Sequence, residues 1–572
     1  MRVFLLFIGR LSLFGMTENQ DVYLEVLRRS IEADVFLTDE AQAASALWGG
    51  HERWLFDFRA VMLRSEVLDA YAEIFFERYR ERYPFQVCGL EMAAVPLVAA
   101  IVMKFQSKGL PLNGFFIRKS RKKSGLFKMI EGTVAEHPVI IVDDLVNTGS
   151  SAIRQIEILK EMKKDIEGIF SILRFRDYGY YARFQKEGVE FRSLFDLNDF
   201  KTSLGVGNLS KHTEPNPLPN PFREPMEWRF AAPDPNFAYV VPKSGPVVSD
   251  GIVYFGTDSG MFFALRSLSG ETVWTYRVPF GSRGKKIFST PAVWKDLVIF
   301  GAYDGNLYAL DKQTGKRVWV FMEADWIGSS PCVASDLDMV FIGLEYGLFK
   351  KRGGVSGLDV RTGEKVWEFR SEELTHGSPA YSQRFRVVGC GSNDGIFSLF
   401  DAKTGKLRWN FQTEGPIKYA PRFADEHGLV AVLGHGETVY VLRTETGEVV
   451  SRYTMEFGGY STPLVLGQKV ICTSFDKCVH CFDIFSGEPL WKLDTGARCF
   501  STPEVVNGKI YVGSNNAQLF EIDPDTGKAT GIFYTRERIV NKIAYDERNC
   551  IFLVPTFANE LLALKKAVHS EP

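Results

Sequence analysis

Asp143 and Asp144 are the residues of this chain best suited by type and setting to do chemistry. They follow Val139-Ile140-Ile141-Val142, an apolar β-branched run that reads as a buried strand ending at the acids. After Asn147 comes Thr148-Gly149-Ser150-Ser151, a turn of small residues, and then an amphipathic helix carrying Ile153, Ile156 and Leu159. A strand that ends in acids and turns through small hydroxyl residues into a helix suits a sugar phosphate. The amides and helix dipole at residues 148–151 favour an anion. The carboxylates beside them can accept hydrogen bonds from vicinal hydroxyls or stand near a metal. Acidic pairs also occur in ordinary α/β turns. It is the match of the whole run that favours the sugar-phosphate reading.

A second chemical segment precedes the first. Phe116-Ile117-Arg118-Lys119-Ser120-Arg121-Lys122-Lys123-Ser124-Gly125 begins as a strand and becomes a basic loop, followed by Glu131-Gly132. A charge run is often only a solvated face. This one lies between two strands of a phosphate-binding domain, with glycine at both ends, which favours a lid that folds onto a pyrophosphate.

The elements that must position these residues alternate. Residues 21–34, 65–83 and 94–108 read as helices; residues 85–89, 114–117, 139–142 and 168–174 read as strands. Strands alternating with helices imply a parallel sheet covered on both faces. The chain has 572 residues, too many for one core, so at least two domains are expected. A net charge of -2 offers no bulk electrostatic case for nucleic acid or a membrane surface as partner. Eight cysteines in this length do not suggest a disulfide framework. Cys478 and Cys481 would face opposite sides of a strand, with no second pair to complete a zinc site. His376, His427, His435 and His480 are scattered and show no ligand spacing. Residues 1–15 resemble a weak signal peptide interrupted by Arg10, without a small-x-small cleavage site. An upstream start ahead of Met16 accounts for them equally well.

The stretch Val139 to Ser151 closely resembles the phosphoribosyl-pyrophosphate motif of type I phosphoribosyltransferases. The basic segment resembles the R-K-x-x-K-x-H-G loop of orotate phosphoribosyltransferases, with Arg118, Lys119 and Lys122 on the pyrophosphate-contacting positions. Ser124 stands where that family usually carries histidine. Phe56-Asp57-Phe58-Arg59 resembles the family's early D-x-R segment. Cys88-Gly89-Leu90-Glu91 ends a strand where the family places its pyrophosphate loop, with Ala93-Ala94 in place of the usual Lys-Gly or Gly-Gly. Arg176-Asp177-Tyr178-Gly179 resembles the later R-x-x-G, and Phe195 to Phe200 the closing strand and turn.

The resemblance implies Mg²⁺-dependent phosphoribosyl transfer from phosphoribosyl pyrophosphate to a base, orotate first, in pyrimidine nucleotide biosynthesis or salvage. Lys122, Asp143 and Asp144 would be catalytic. Arg118, Lys119, Lys122, Asp143, Asp144, Thr148, Gly149, Ser150 and Ser151 would bind phosphoribosyl pyrophosphate, and Asn147 and Arg176 the base. The metal would be held through the substrate, with Asp143 or Asp144 reaching it through water. A homodimer and a cytoplasmic setting follow from the same resemblance. A non-catalytic sensor of phosphoribosyl pyrophosphate or nucleotides, with a partner-recruiting C-terminal half, remains the competing reading.

Residues 213–225 are proline-rich and read as a linker between a phosphoribosyltransferase-like domain over 16–212 and a repeat region over 226–572. In the repeats a glycine is followed four residues later by tryptophan at Gly270/Trp274, Gly315/Trp319, Gly363/Trp367, Gly405/Trp409 and Gly487/Trp491. Gly447 and Gly527 keep the glycine but are followed by Ser451 and Gly531. Successive glycines lie 40 to 48 residues apart, the length of a four-stranded propeller blade. The last unit stops before its tryptophan strand, and Glu227-Trp228-Arg229-Phe230 supplies an orphan one that would close a ring of eight. The expected fold is therefore an α/β parallel-sheet domain followed by an all-β eight-bladed propeller. The repeat resembles quinoprotein (pyrroloquinoline quinone) propellers. No Cys-Cys pair occurs, so no pyrroloquinoline quinone is expected, and the propeller reads as a binding platform for a protein or small ligand.

Overall fold

The computed structural model describes residues 18–37, 55–56, 58, 61–118, 130–147, 149–175, 178–200, 218–223, 225–233, 244–279, 286–347 and 351–567. The chain divides into two compact units, Met1–Pro217 and Leu218–Pro572.

The first unit is a six-stranded sheet with helices. Its strands are β3 (Gln86–Leu90), β4 (Asn113–Ile117), β5 (Ile130–Glu131), β6 (Val139–Val146), β7 (Ile166–Arg174) and β8 (Glu190–Asp196), in the order β5-β4-β3-β6-β7-β8. All neighbours are parallel except β4 and β5, which pair antiparallel. A separate two-stranded pair, β1 (Phe36–Leu37) with β2 (Leu55–Phe56), accompanies it. The helices are α1 (Glu18–Asp34), α2 (Ser65–Tyr79), α3 (Glu91–Ser107), α4 (Ser150–Glu161) and α5 (Ala182–Lys186). In α2 the buried residues Val67, Ala70, Tyr71, Ile74, Phe75 and Tyr79 recur at helical spacing, so one stripe meets the sheet. They join Ile140, Val142 and Phe170 in one core. The helix expected over 65–83 ends at Tyr79, where a single 3₁₀ turn, Arg80–Arg82, takes over.

The second unit is a propeller of eight four-stranded antiparallel sheets, spanning 247–277, 292–322, 332–371, 380–412, 422–454, 464–494, 504–534, and 544–564 with Trp228–Ala231. The two middle strands of each blade are buried over most of their length. Outer strands alternate, and in Arg317–Met322 the tryptophan takes the central buried position. In six of the eight blades the outer strand carries a tryptophan that docks on the next blade. Trp319 Nε1 donates to Val360 O at 3.1 Å, and its ring lies against Gly363. A Cβ at Gly363 would sit 2.6 Å from the Trp319 ring, and its φ is +74°, so only glycine fits. Trp228, Trp274, Trp367, Trp409 and Trp491 repeat this bond. In the fifth blade Ser451 Oγ makes the equivalent bond to Ile484 O at 2.6 Å. Trp228–Ala231 pairs with Glu560–Leu564 and docks Trp228 on Gly270, closing the ring as the orphan tryptophan implies.

The proline-rich stretch expected to be an unpacked linker is packed from Leu218 onward. Pro219 O accepts from Ile532 N at 3.0 Å and Pro221 O from Ala567 N at 3.1 Å. Phe222 is buried among Tyr511, Phe533 and Phe552. Proline lacks only the donor, so its carbonyls still serve an edge. Gly531, in the tryptophan position of the seventh blade, leaves the room that Pro221 fills.

Candidate functional site

The sheet order places the candidate site. The chain runs outward from β3 to β4, then returns to the other side of β3 to build β6, so the topology switches between β3 and β6. In open α/β sheets ligands bind beyond the carboxyl ends of the strands at such a switch. The carboxyl end of β3 is Leu90, where α3 begins; that of β6 holds Asp143 to Val146 and then the turn into α4.

Asp143 and Asp144 lie inside β6 rather than beyond its end. The reason is that β7 continues beside them: Asp143 pairs with Ser171, Leu145 with Leu173 and Val146 with Arg174. Asp143 is buried and Asp144 half-buried. Asp143 Oδ1 accepts the Asp144 amide at 3.0 Å, and Asp144 Oδ1 accepts the Leu145 amide at 2.8 Å. Each bond fixes its carboxyl against the strand. Tyr71 of α2 is fully buried, and its hydroxyl has no hydrogen-bond partner among the described residues. Burial, then Tyr79, then the carboxylates of Asp143 and Asp144 push this phenol well above its ordinary value.

The turn is held from below. Gly149 is the N-cap of α4 with φ +76°, and its carbonyl accepts from Ile153 N at 2.9 Å. Tyr181 Oη donates to Val146 O at 2.8 Å and Asn147 O at 2.9 Å. Phe184, stacked on Tyr181, approaches Gly149 so closely that a Cβ there would meet its Cζ at 2.7 Å. Sequence reasoning missed Tyr181 and Phe184, which lie some thirty residues downstream and carry no motif. Gly149→Ala is therefore expected to strain the turn twice, through φ and through Phe184. The loss of unfolding free energy should be about 1–2 kcal/mol, with weaker binding of a sugar phosphate. Thermal unfolding and a binding titration check this.

Gly89, near the end of β3, is packed under Ala94 of α3, where a Cβ would come within 2.2 Å of Ala94 Cβ. The small Ala94 thus lets α3 start directly over the switch point. The basic segment connects the antiparallel pair β4 and β5, which hold it at both ends (Ile117 opposite Ile130, Phe116 opposite Glu131). Arg118 leaves the carboxyl end of β4 and pairs with Glu131 at 3.3 Å. β4 and β6 flank β3, so Arg118 and the acidic pair leave one edge of one sheet about 10 Å apart. At the end of β7, Arg174 pairs with Asp196 at 2.9 Å and lies 4.1 Å from the Tyr178 ring. Asn147, Gly149, Ser150 and Ser151 follow β6 at the same edge. Lys119, Lys122, Ser124, Thr148 and Arg176 lie outside the described residues, as do Asp57 and Arg59. No helix among the described residues is long and apolar enough to cross a membrane.

Comparison with known proteins agrees with both halves. The family described as "Outer membrane protein assembly factor BamB" matches residues 226–347, 351–432 and 424–532. An "Orotate phosphoribosyltransferase" of Bradyrhizobium sp. (strain ORS 278) is 31% identical over 182 residues, covering 31% of this chain and 94% of that protein. One of Rhodopseudomonas palustris (strain TIE-1) is 33% identical over 157 residues, covering 27% of this chain and 83% of that protein. Among solved structures, the quinohemoprotein alcohol dehydrogenase ADHIIG of Pseudomonas putida HK5 superposes with a TM-score of 0.52 at 16% identity. It covers 62% of this chain and 79% of that one, a likeness of fold alone. With the acid-bearing strand, the turn into α4 and the root of the basic segment at one sheet edge, and with eight four-stranded blades, six of them docked by tryptophan, following in sequence, the chain belongs to the orotate phosphoribosyltransferase family in its N-terminal region and to the BamB-type, PQQ-like repeat family in its propeller.

Proposed function

We propose that the N-terminal unit transfers the phosphoribosyl group of phosphoribosyl pyrophosphate to a nucleobase, orotate first, and that the propeller is a binding platform. The observation that carries this is the shared edge. The acidic pair and the turn into α4 at the end of β6, and the root of the basic segment at the end of β4, lie at the carboxyl ends of the two parallel strands that flank β3.

In this reading the amides and hydroxyls of Thr148, Gly149, Ser150 and Ser151 hold the 5′-phosphate at the start of α4. Asp143 and Asp144 accept hydrogen bonds from the ribose hydroxyls. The base is held by Asn147 and by Arg176, whose guanidinium matches a carboxylate in a bidentate pair. As the bond from C1′ to the pyrophosphate oxygen breaks, its electron pair stays on that oxygen, and the base nitrogen, giving up its proton to solvent, forms the new bond to C1′. Arg118, Lys119 and Lys122 stabilise the charge that grows on the leaving group. Two adjacent carboxylates are hard oxygen donors of the type Mg²⁺ prefers, so Asp143 and Asp144 fit that ion, directly or through water. When bound, Mg²⁺ supplies further neutralisation of pyrophosphate charge. Closure of the basic segment excludes water from the activated sugar. A homodimer through this unit and a cytoplasmic setting, where phosphoribosyl pyrophosphate is available, complete the proposal.

The test is pyrophosphate release by the full-length chain with Mg²⁺, phosphoribosyl pyrophosphate and a panel of bases. Release is expected with orotate. Binding of phosphoribosyl pyrophosphate without release for any base would overturn transfer and select the sensor reading. Lys122→Ala should lower kcat roughly a hundredfold while changing substrate affinity far less. Equal losses in both would argue against a transition-state role for this lysine.

A further inference from the structure

The sixth blade carries a side-chain cluster that the transferase chemistry does not use. Cys478 and His480 alternate on one face of the strand Cys478–Asp483, and the carboxylate of Asp476, from the hairpin turn before it, reaches the His480 imidazole. Their ligand atoms lie within 4.8 Å of one another. The side chains of Asp476 and His480 are 1% and 2% exposed, and Cys478 is also buried.

The other blades act as an internal control. In the second blade, Asp304 occupies the same turn position and accepts the Asn306 amide at 3.1 Å. Its second oxygen is met by donors from the side chains of Asn306 and Tyr308. In the fourth blade Asp394 accepts the Ile396 amide at 3.1 Å. Asp476 keeps this turn, with the Cys478 amide at 3.0 Å. In the sixth blade, however, the two following inward positions carry a thiol and an imidazole in place of an amide and a phenol. A structural turn alone needs only the acid.

The surroundings also suit a metal. His480 Nε2 lies 2.9 Å from Asp476 Oδ2, while Nδ1 lies 3.0 Å from the Tyr453 hydroxyl. An imidazole that binds metal through one nitrogen is characteristically oriented by a hydrogen bond at the other. Lys492, opposite His480, reaches Asp476 Oδ2 at 3.8 Å, but its side chain is 43% exposed and can turn to solvent.

We propose that Asp476, Cys478 and His480 form a site for a soft divalent cation of the zinc class, which braces the hairpin of the sixth blade. Carboxylate, thiolate and imidazole together select such an ion, and tetrahedral bonding needs ligand atoms about 3.5 Å apart, a small contraction of the observed cluster. The thiol proton leaves to solvent as the sulfur–metal bond forms, the proton between His480 Nε2 and Asp476 passes through solvent to Nδ1, where the Tyr453 oxygen accepts it, and the cation takes its place. Thiolate and carboxylate then balance its two charges.

The experiment uses the full-length chain after chelator treatment, titrated with Co²⁺ followed by absorbance and with Zn²⁺ by equilibrium dialysis. One equivalent of either ion should bind, and Co²⁺ should give a thiolate-to-metal charge-transfer band. Cys478→Ser should abolish the band and weaken Zn²⁺ by about a hundredfold, and His480→Gln should weaken it at least about tenfold. Cys550→Ser, at an exposed cysteine elsewhere, should change nothing. Absence of the band in the unsubstituted chain, its survival in Cys478→Ser, or its loss in Cys550→Ser would each overturn the proposal.

Discussion

Asp144→Asn is expected to lower kcat/KM for phosphoribosyl transfer roughly a hundredfold, about 2.7 kcal/mol of transition-state stabilisation. The substitution changes charge and leaves shape. The Leu145 amide that now donates to Asp144 Oδ1 at 2.8 Å can donate equally to an asparagine carbonyl. The strand pairing on either side of position 144 is backbone to backbone and is untouched. Thermal unfolding of the variant should therefore stay within about 1 kcal/mol of the parent. What is lost is an anion that accepts from ribose hydroxyls and stands beside the site of developing positive charge. Steady-state rates measured with phosphoribosyl pyrophosphate and orotate, together with an unfolding curve, separate the two effects. Parent-like rates would remove Asp144 from its assigned role.

The second large effect is on the propeller. Trp319→Ala should cost about 3–5 kcal/mol of unfolding free energy. The ring is buried between the second and third blades, lies against Gly363 and donates from Nε1 to Val360 O. Gly363, against which the ring lies, has no side chain to move into the void. A fall of roughly 5 °C in the thermal midpoint of the propeller is expected. Ser451→Ala, at the equivalent outer-strand position of the fifth blade, removes one hydrogen bond and little volume, so about 1 kcal/mol is expected there. Similar shifts for the two would mean that the tryptophan wedge is not what holds the blades together.

Much of this architecture was legible before any coordinates. Strand-length apolar runs alternating with helices imply the parallel sheet. The Gly-x-x-x-Trp recurrence implies blades, because a bulky ring and a residue without a side chain must meet at each blade boundary. The orphan Trp228 implies the closure. What stayed hidden was non-local. Asp143 and Asp144 read as lying past the strand, since their own residue types disfavour one; pairing with β7 carries the strand through them. Tyr181 and Phe184 support the turn from a segment with no motif. The proline-rich stretch reads as unpackable because proline lacks a donor, yet Pro219 and Pro221 need only accept. Asp476, Cys478 and His480 alternate plainly in sequence, but the acid belongs to a turn that recurs among the blades, and this disguises the two residues that differ.

The most direct test of the central claim, that the acidic pair and the basic segment converge on one activated sugar, is a crystal structure of the full chain with Mg²⁺ and phosphoribosyl pyrophosphate. The account predicts ribose hydroxyls within hydrogen-bonding distance of Asp143 and Asp144, the 5′-phosphate on the amides of 148–151, and Lys122 on the pyrophosphate. A ligand bound away from the carboxyl edge of β6, or one that Lys122 and its basic neighbours do not touch, would contradict it.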